Sequence, residues 1–195
     1  YFPKDLNEII LDRNLFKNRE IMNHYNRYES SIITSRGCIY NCAFCGGSVY
    51  ANSSSYVRMR NIDNIKTEIQ RIIEINPNVE SIRVLDDLFL LNRERVSDAI
   101  KIFKCFSKLH WRAMAHINTF LKSLDLSEEL KKSGCDELFV GIESGDEEMR
   151  RLIHKQGTVN DVINVIRALL QAGIDIKGYF ICGFPNENKR QWIRR

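Results

Sequence analysis

No stretch of this sequence approaches the ~18 to 20 unbroken apolar residues that a membrane-spanning helix needs, and the N-terminus lacks the charged-then-apolar plan of a secretory leader. The expectation is a soluble, cytoplasmic protein. There is little surplus of one charge either: 29 Lys and Arg stand against 25 Asp and Glu, a net of +4, with the signs interleaved along nearly the whole chain. Neither nucleic acid nor a membrane surface is indicated as a partner. Internal repeats and low-complexity segments are also lacking. What is present is 195 residues with 44% hydrophobic content, enough for one globular domain with a sizeable core. The chain starts at Tyr1 and stops at Gln191-Trp192-Ile193-Arg194-Arg195, inside an amphipathic helical pattern, so a fragment of a longer protein is expected.

Six cysteines could make three disulfides of a secreted domain, but such scaffolds are short and loop-rich, and this chain is strongly patterned. Three of the six crowd into eight residues, Cys38, Cys42 and Cys45, while Cys105, Cys135 and Cys182 stand alone. That asymmetry points to a metal site, with the scattered three as packing residues.

Residues 1–30 are polar with scattered apolar positions (Ile9, Ile10, Leu11, Leu15, Phe16) and read as an irregular or short-helical lead-in or linker; residues 31–195 read as the core domain. From Ser31 onward, β-branched apolar runs alternate with helical patterns, the mark of βα units feeding a parallel sheet. The strands expected are Ile32 to Thr34, Ile82 to Leu85, Trp111 to Ile117, Leu138 to Ile142 and Ile174 to Ile181. Ile62, Ile65, Ile69, Ile72 and Ile73 recur at helical spacing ahead of Pro77, and Val96, Ala99, Ile100 and Phe103 line a second helix. A short helix from Ser127 ends at Gly134; Thr158 with Asp161 resembles a capping box, and Gly173 stops that last helix. Five βα repeats of this kind curl into an α/β partial barrel or an open doubly wound sheet, and in both function gathers at the carboxyl ends of the strands.

Those ends carry the cysteine loop, Asp86-Asp87, Asn118-Thr119, Glu143-Ser144 and Gly183-Phe184-Pro185. The loop reads Arg36-Gly37-Cys38-Ile39-Tyr40-Asn41-Cys42-Ala43-Phe44-Cys45-Gly46-Gly47. A cubane iron-sulfur cluster normally takes four thiolates; three close ones hold three irons and leave the fourth open to a ligand. Glycine at the loop's edges lets the backbone approach the inorganic core. The competing reading is zinc, with His24 or Cys105 folding over as fourth ligand. Glu143 at the end of a buried strand is costly unless paired, which favours a ligand contact. His116 and Asn118 are candidates to face a substrate, against a satisfied core histidine, and Asp86-Asp87 could equally cap the helix that follows.

With Cys38, Cys42, Phe44 and Cys45 in place, the sequence resembles the radical S-adenosylmethionine superfamily, whose hallmark is Cys-x-x-x-Cys-x-aromatic-Cys. Val140-Gly141-Ile142-Glu143-Ser144-Gly145 is similar to that family's fourth-strand motif, and Gly178 through Gly183-Phe184-Pro185-Asn186-Glu187 to its fifth. Leu85-Asp86-Asp87 in place of Gly-Gly-Glu resembles the cobalamin-dependent and methylthiotransferase-like branches.

The resemblance implies a TIM-like partial barrel with five of the usual six βα repeats. It implies a 4Fe-4S cluster on Cys38, Cys42 and Cys45, and S-adenosylmethionine held by Phe44, Gly46, Gly47, Asp86, Asp87, Glu143, Ser144 and Gly183. The activity implied is reductive cleavage of S-adenosylmethionine to a 5′-deoxyadenosyl radical that modifies a substrate, with methyl transfer as the leading expectation. A reductant such as flavodoxin or ferredoxin, and cobalamin on a further domain, are the partners implied. A transfer-RNA methylthiotransferase-like enzyme and a non-catalytic iron-sulfur electron carrier are the alternatives.

Overall fold

The structure is a computed structural model, and it describes residues 5–9, 11–17, 21–47 and 57–193. Ile10, Arg194 and Arg195, which figure in the sequence reading, lie outside the described residues.

Two short 3-10 turns, Leu6–Glu8 and Arg13–Phe16, lead into β1 (Ile21–Met22) and β2 (Tyr28–Ile32). Then follow β3 (Ser35–Arg36), β4 (Arg58–Met59), α1 (Ile62–Ile75), β5 (Ser81–Val84), α2 (Arg93–Phe103), β6 (His110–Ala115) and α3 (Ile117–Leu121). The chain continues through α4 (Ser127–Lys132), β7 (Cys135–Glu143), α5 (Glu147–Leu152), α6 (Val159–Gln171), β8 (Asp175–Phe180) and α7 (Lys189–Ile193).

β1, β2, β5, β6, β7 and β8 form one sheet in that order. The last five are parallel and adjacent in chain order, with β1 antiparallel on the outer side of β2. This is the curled α/β half-barrel expected of successive βα units. All five parallel strands therefore end on one face.

The core lies between the sheet and its helices. Ile65, Ile69 and Ile72 of α1, Val96, Ala99 and Phe103 of α2, and Val162, Val165 and Leu169 of α6 bury the apolar stripe that the spacing predicts. Trp111, fully buried, stacks on Phe103 at 4.6 Å and meets Phe89 edge-on at 5.9 Å, while its indole N–H donates to the Ser133 carbonyl. The helix stops also fall where expected. Thr158 Oγ1 accepts from the Asp161 N–H as the Asp161 carboxylate accepts from the Thr158 N–H, and Gly134 and Gly173 take φ values of +92° and +81°.

Several boundaries differ from the sequence reading, among them the start of β7, which is Cys135 rather than Leu138. The first parallel strand runs from Tyr28 to Ile32, starting inside the segment read as lead-in, because its partner residues Ser81–Val84 pair with Glu29–Ile32. Thr34 leaves the ladder to bond Asp86 instead. The third strand stops at Ala115, since His116 turns the chain: its Nδ1 accepts the Asn118 N–H and caps α3, and Thr119 Oγ1 bonds the Leu90 carbonyl. Ile117, read as the last residue of that strand, thus opens a helix instead. The β3–β4 ladder pairs Ser35 with Met59 and Arg36 with Arg58, clasping the stem of the cysteine loop.

Candidate active site

The stem of the loop is tied down first. Asp86, buried just after β5, accepts from the Thr34 N–H (2.6 Å), Thr34 Oγ1 (2.5 Å) and Ser35 Oγ (2.6 Å). Its neighbour Asp87 is exposed and accepts from the Gly37 N–H at 2.9 Å. On the other side Arg60 donates to the Ile33 carbonyl and pairs with buried Glu68, which also pairs with Arg13. Asp86 is therefore tied to the loop's stem, and the helix-cap role falls to Asn92.

From that stem the loop reaches across the other strand ends. Tyr40 stacks on His116 after β6, with ring centroids 3.9 Å apart. The Ala43 N–H donates to the Ile153 carbonyl in the segment after β7, and Phe44 meets Phe184 after β8 at 5.7 Å. One loop thus touches the exits of β5, β6 and β8 through Gly37, Tyr40 and Phe44, and the end of α5 through Ala43.

All six cysteines are free thiols; Cys38 is half-buried, Cys42 buried and Cys45 exposed. Burial pushes the Cys38 thiol up, and the nearby Cys42, Cys45 and Asp87 charges add to it. Cys42 is likewise raised by burial, against a pull downward from Lys155. Such thiols give up their protons to a metal rather than to water at neutral pH. No group of three or more His, Cys, Asp and Glu side chains among the described residues is placed to hold one metal ion. The thiolates of a cubane sit on separate irons and need not converge on a point, so the donor set suits a cluster. The proposed zinc partners lie elsewhere: His24 faces Glu137 near the opposite end of the strands, and exposed Cys105 donates to the Lys101 carbonyl beyond α2.

Glu143, the last residue of β7, is 7% exposed and has φ +66°, where the ladder to β8 shifts register. A non-glycine residue in the left-handed region costs ~1–2 kcal/mol and persists only where its surroundings hold it. Here the fully buried Arg150 does so, donating to the Ile142 and Ser144 carbonyls at 2.7 and 3.2 Å and to Gly157 and Gln156. The Glu143 carboxylate meets Lys155 Nζ at 3.4 Å. Gly141 leaves room for the carboxylate, since a Cβ there would stand 2.3 Å from Glu143 Oε1.

The remaining expected positions divide. Ser144 is fully buried and its Oγ accepts from the Asp146 N–H, facing inward. Gly183 has φ +87°, its N–H donates to Glu187, and the space where a Cβ would stand is open. Gly46 is exposed with open space at its Cβ position, while a Cβ on Gly47 would lie 3.5 Å from Cys45 Sγ. Tyr40, Arg150 and Lys155 were missed from sequence. For Lys155 a signal existed, since a buried Glu143 demands a cation, but nothing local says which.

The family description "Radical SAM superfamily" matches residues 32–194. An uncharacterized methyltransferase of Pyrococcus horikoshii is 29% identical over 161 residues, covering 82% of this chain and 34% of that protein. The bacteriochlorophyllide d C-12(1)-methyltransferase of Chlorobaculum tepidum is 26% identical over 176 residues, covering 87% of the chain and 37% of that protein. The chain thus spans about a third of the length of the curated relatives it matches. Among solved structures, the methyltransferase TsrM from Kitasatospora setae with cobalamin and a 4Fe-4S cluster bound superposes with TM-score 0.71 at 16% identity, over 98% of this chain and 34% of that one. The cobalamin-dependent radical enzyme OxsB, with aqua-cobalamin and S-adenosylmethionine bound, gives 0.69 at 20% identity, over 80% and 24%. At those identities the likeness is one of fold.

Proposed function

The chain belongs to the radical SAM superfamily, and from that premise we propose that it is the cluster- and nucleotide-binding core of an enzyme that transfers a methyl group to an organic substrate. In this reading Cys38, Cys42 and Cys45 hold a 4Fe-4S cluster, and Glu143, Gly183 and the backbone near Phe44 line the nucleotide site. Asp87 fixes the loop's first turn from the rim, while Asp86 and Ser144 shape the pocket from below. When bound, the cluster supplies the electron that cleaves S-adenosylmethionine reductively. The chain's own residues bind, orient and exclude water. Flavodoxin or ferredoxin is the reductant proposed, and cobalamin would sit on a further domain of a longer protein, in keeping with the cobalamin-bound fold neighbours.

The observation that carries this reading is the loop's contact with three strand exits and with the end of α5, through Gly37, Tyr40, Phe44 and Ala43. A cluster held by Cys38, Cys42 and Cys45 would have the Glu143 carboxylate beside it, close enough to act on the Cys42 thiol. A plain electron carrier has no use for such a neighbour.

The test is anaerobic reconstitution. About four irons per chain are expected, lost on changing Cys38, Cys42 or Cys45 to Ala and kept with Cys105→Ala. S-adenosylmethionine should alter the reduced cluster's paramagnetic resonance signal and, with dithionite, yield 5′-deoxyadenosine and methionine. A loaded cluster that shows neither response would make the chain an electron carrier.

A further inference from the structure

The sheet's other face carries charge that this reading leaves unused. Side chains alternate across a strand, and Ile82, Val84, Trp111, Ala113, Leu138 and Val140 pack under the helices. Arg83, Arg112, Phe139 and Lys177 therefore point to the opposite, inner face, where the register sets Arg83 beside Arg112 and Phe139 beside Lys177.

Three cations meet at one ring there. The guanidinium carbons of Arg83 and Arg112 lie 5.2 and 5.5 Å from the Phe139 centroid, and Lys177 Nζ lies 5.9 Å from it. Arg112 is neutralised: it donates to both Glu29 oxygens at 2.6 and 2.7 Å and to Glu137 at 3.1 Å. Burial alone would raise the Glu29 carboxyl, but the Arg112, Asn23 and Ser81 hydrogen bonds overcome it and hold Glu29 low, so both charges persist. Arg83 and Lys177 have no carboxylate partner of this kind among the described residues, and Arg83 Nε is buried without a hydrogen-bond acceptor. Contact with an aromatic face compensates a cation only in part, and two like charges over one ring repel.

We propose that Arg83 and Lys177, with Phe139 as floor, seat an anionic oxygen group of the substrate, a phosphate or a carboxylate. A phosphate or carboxylate would accept from the fork of the guanidinium, including the orphaned Nε, and bridge to the ammonium. The proposal rests on the function proposed above for its purpose. Phe139 stands four residues before Glu143 on β7, roughly 13 Å at the rise of a strand. A substrate anchored by its anion at that depth presents a carbon several bonds away to the strand ends, where the chemistry is placed.

The experiment is calorimetric titration of the chain with inorganic phosphate and, separately, acetate at low ionic strength. Iron content and S-adenosylmethionine cleavage are measured on the same preparations. Saturable binding is expected, weakened about tenfold by Arg83→Gln and by Lys177→Gln, restored only in part by Arg83→Lys, which keeps the charge and loses the fork, and unchanged by Lys101→Gln on the exposed face of α2. The tighter of the two anions names the substrate's group. Since Lys177 is exposed, its variant remains informative if a change at Arg83 disturbs folding. Absence of binding by both anions, or equal affinity in all variants, overturns the seat. Iron-free protein that binds phosphate in an Arg83-dependent way keeps the seat and removes the cluster reading. Protein that cleaves S-adenosylmethionine without discriminating Arg83→Gln does the reverse.

Discussion

Lys155 Nζ stands 3.4 Å from Glu143 Oε1, with both side chains more than nine-tenths buried, so the acid at the end of β7 and the cation twelve residues later form one closed ion pair. Lys155 also lies close enough to Cys42 to draw its thiol downward. One ammonium therefore acts on both Glu143 and Cys42.

Removing either partner of such a pair leaves a buried charge alone. Lys155→Met should lower the unfolding free energy by about 3 kcal/mol, read by urea denaturation. Glu143→Ala should keep the iron content and weaken S-adenosylmethionine binding about tenfold, or ~1.4 kcal/mol, by equilibrium dialysis. Iron lost with Glu143→Ala would instead make Glu143 a support of the loop.

Two glycines separate binding from stability. A Cβ on Gly141 would collide with Glu143 Oε1 at 2.3 Å and crowd Lys155 Nζ at 3.0 Å, both ends of flexible side chains. Gly141→Ala should therefore displace the carboxylate, reducing nucleotide affinity with a stability cost of about 1 kcal/mol. A Cβ on Gly134 would lie 2.4 Å from the Leu109 carbonyl oxygen, at φ +92°. Gly134→Ala should cost more than ~2 kcal/mol and leave the affinity of the folded fraction unchanged. Equal losses of affinity in both would refute the distinction.

Asp86 accepts three hydrogen bonds in a buried setting, all from the stem of the cysteine loop. Asp86→Ala should destabilise the fold by about 3 kcal/mol and release iron. Asp87→Ala, which removes one exposed contact to Gly37, should leave stability within about 0.5 kcal/mol and speed iron loss to a chelator. Unimpaired iron retention in both variants would show that the stem needs no such fastening.

His116 governs a pH dependence. Burial, then Lys155 and Arg150, lowers its pKa from 6.5 to about 3. The unfolded chain thus takes up a proton between those values that the folded chain refuses, so stability falls as pH drops below 6.5 and the loss continues toward 3. At about pH 5 the loss from this residue is ~2 kcal/mol. Denaturant melts at pH 5 and 7 should differ by that much less in His116→Gln. An unchanged difference would mean that the ring is not shielded from protons.

What the sequence determined alone was whatever is local. The cysteine triplet, the alternation of β-branched runs with helical stripes, the Thr158–Asp161 cap and the stops at Gly134 and Gly173 all act over a few residues, where spacing and side-chain chemistry suffice. The strand ends carrying Asp87, Glu143 and Gly183 were legible for the same reason, since a parallel sheet must bring its carboxyl ends together. Boundaries were not. Ile117 was read as the end of a strand, and it opens a helix because His116 and Leu90 offer the backbone and Thr119 other partners. Which way an acid faces was equally hidden: Asp86 and Asp87 are adjacent and chemically identical, but one is spent on Thr34 and Ser35 and the other stands at the rim. Glu143 needed a cation and Arg150 needed carbonyls, and only the tertiary structure chose them. Contacts across the sheet depend on register and on the curl of the whole, which no window of sequence contains.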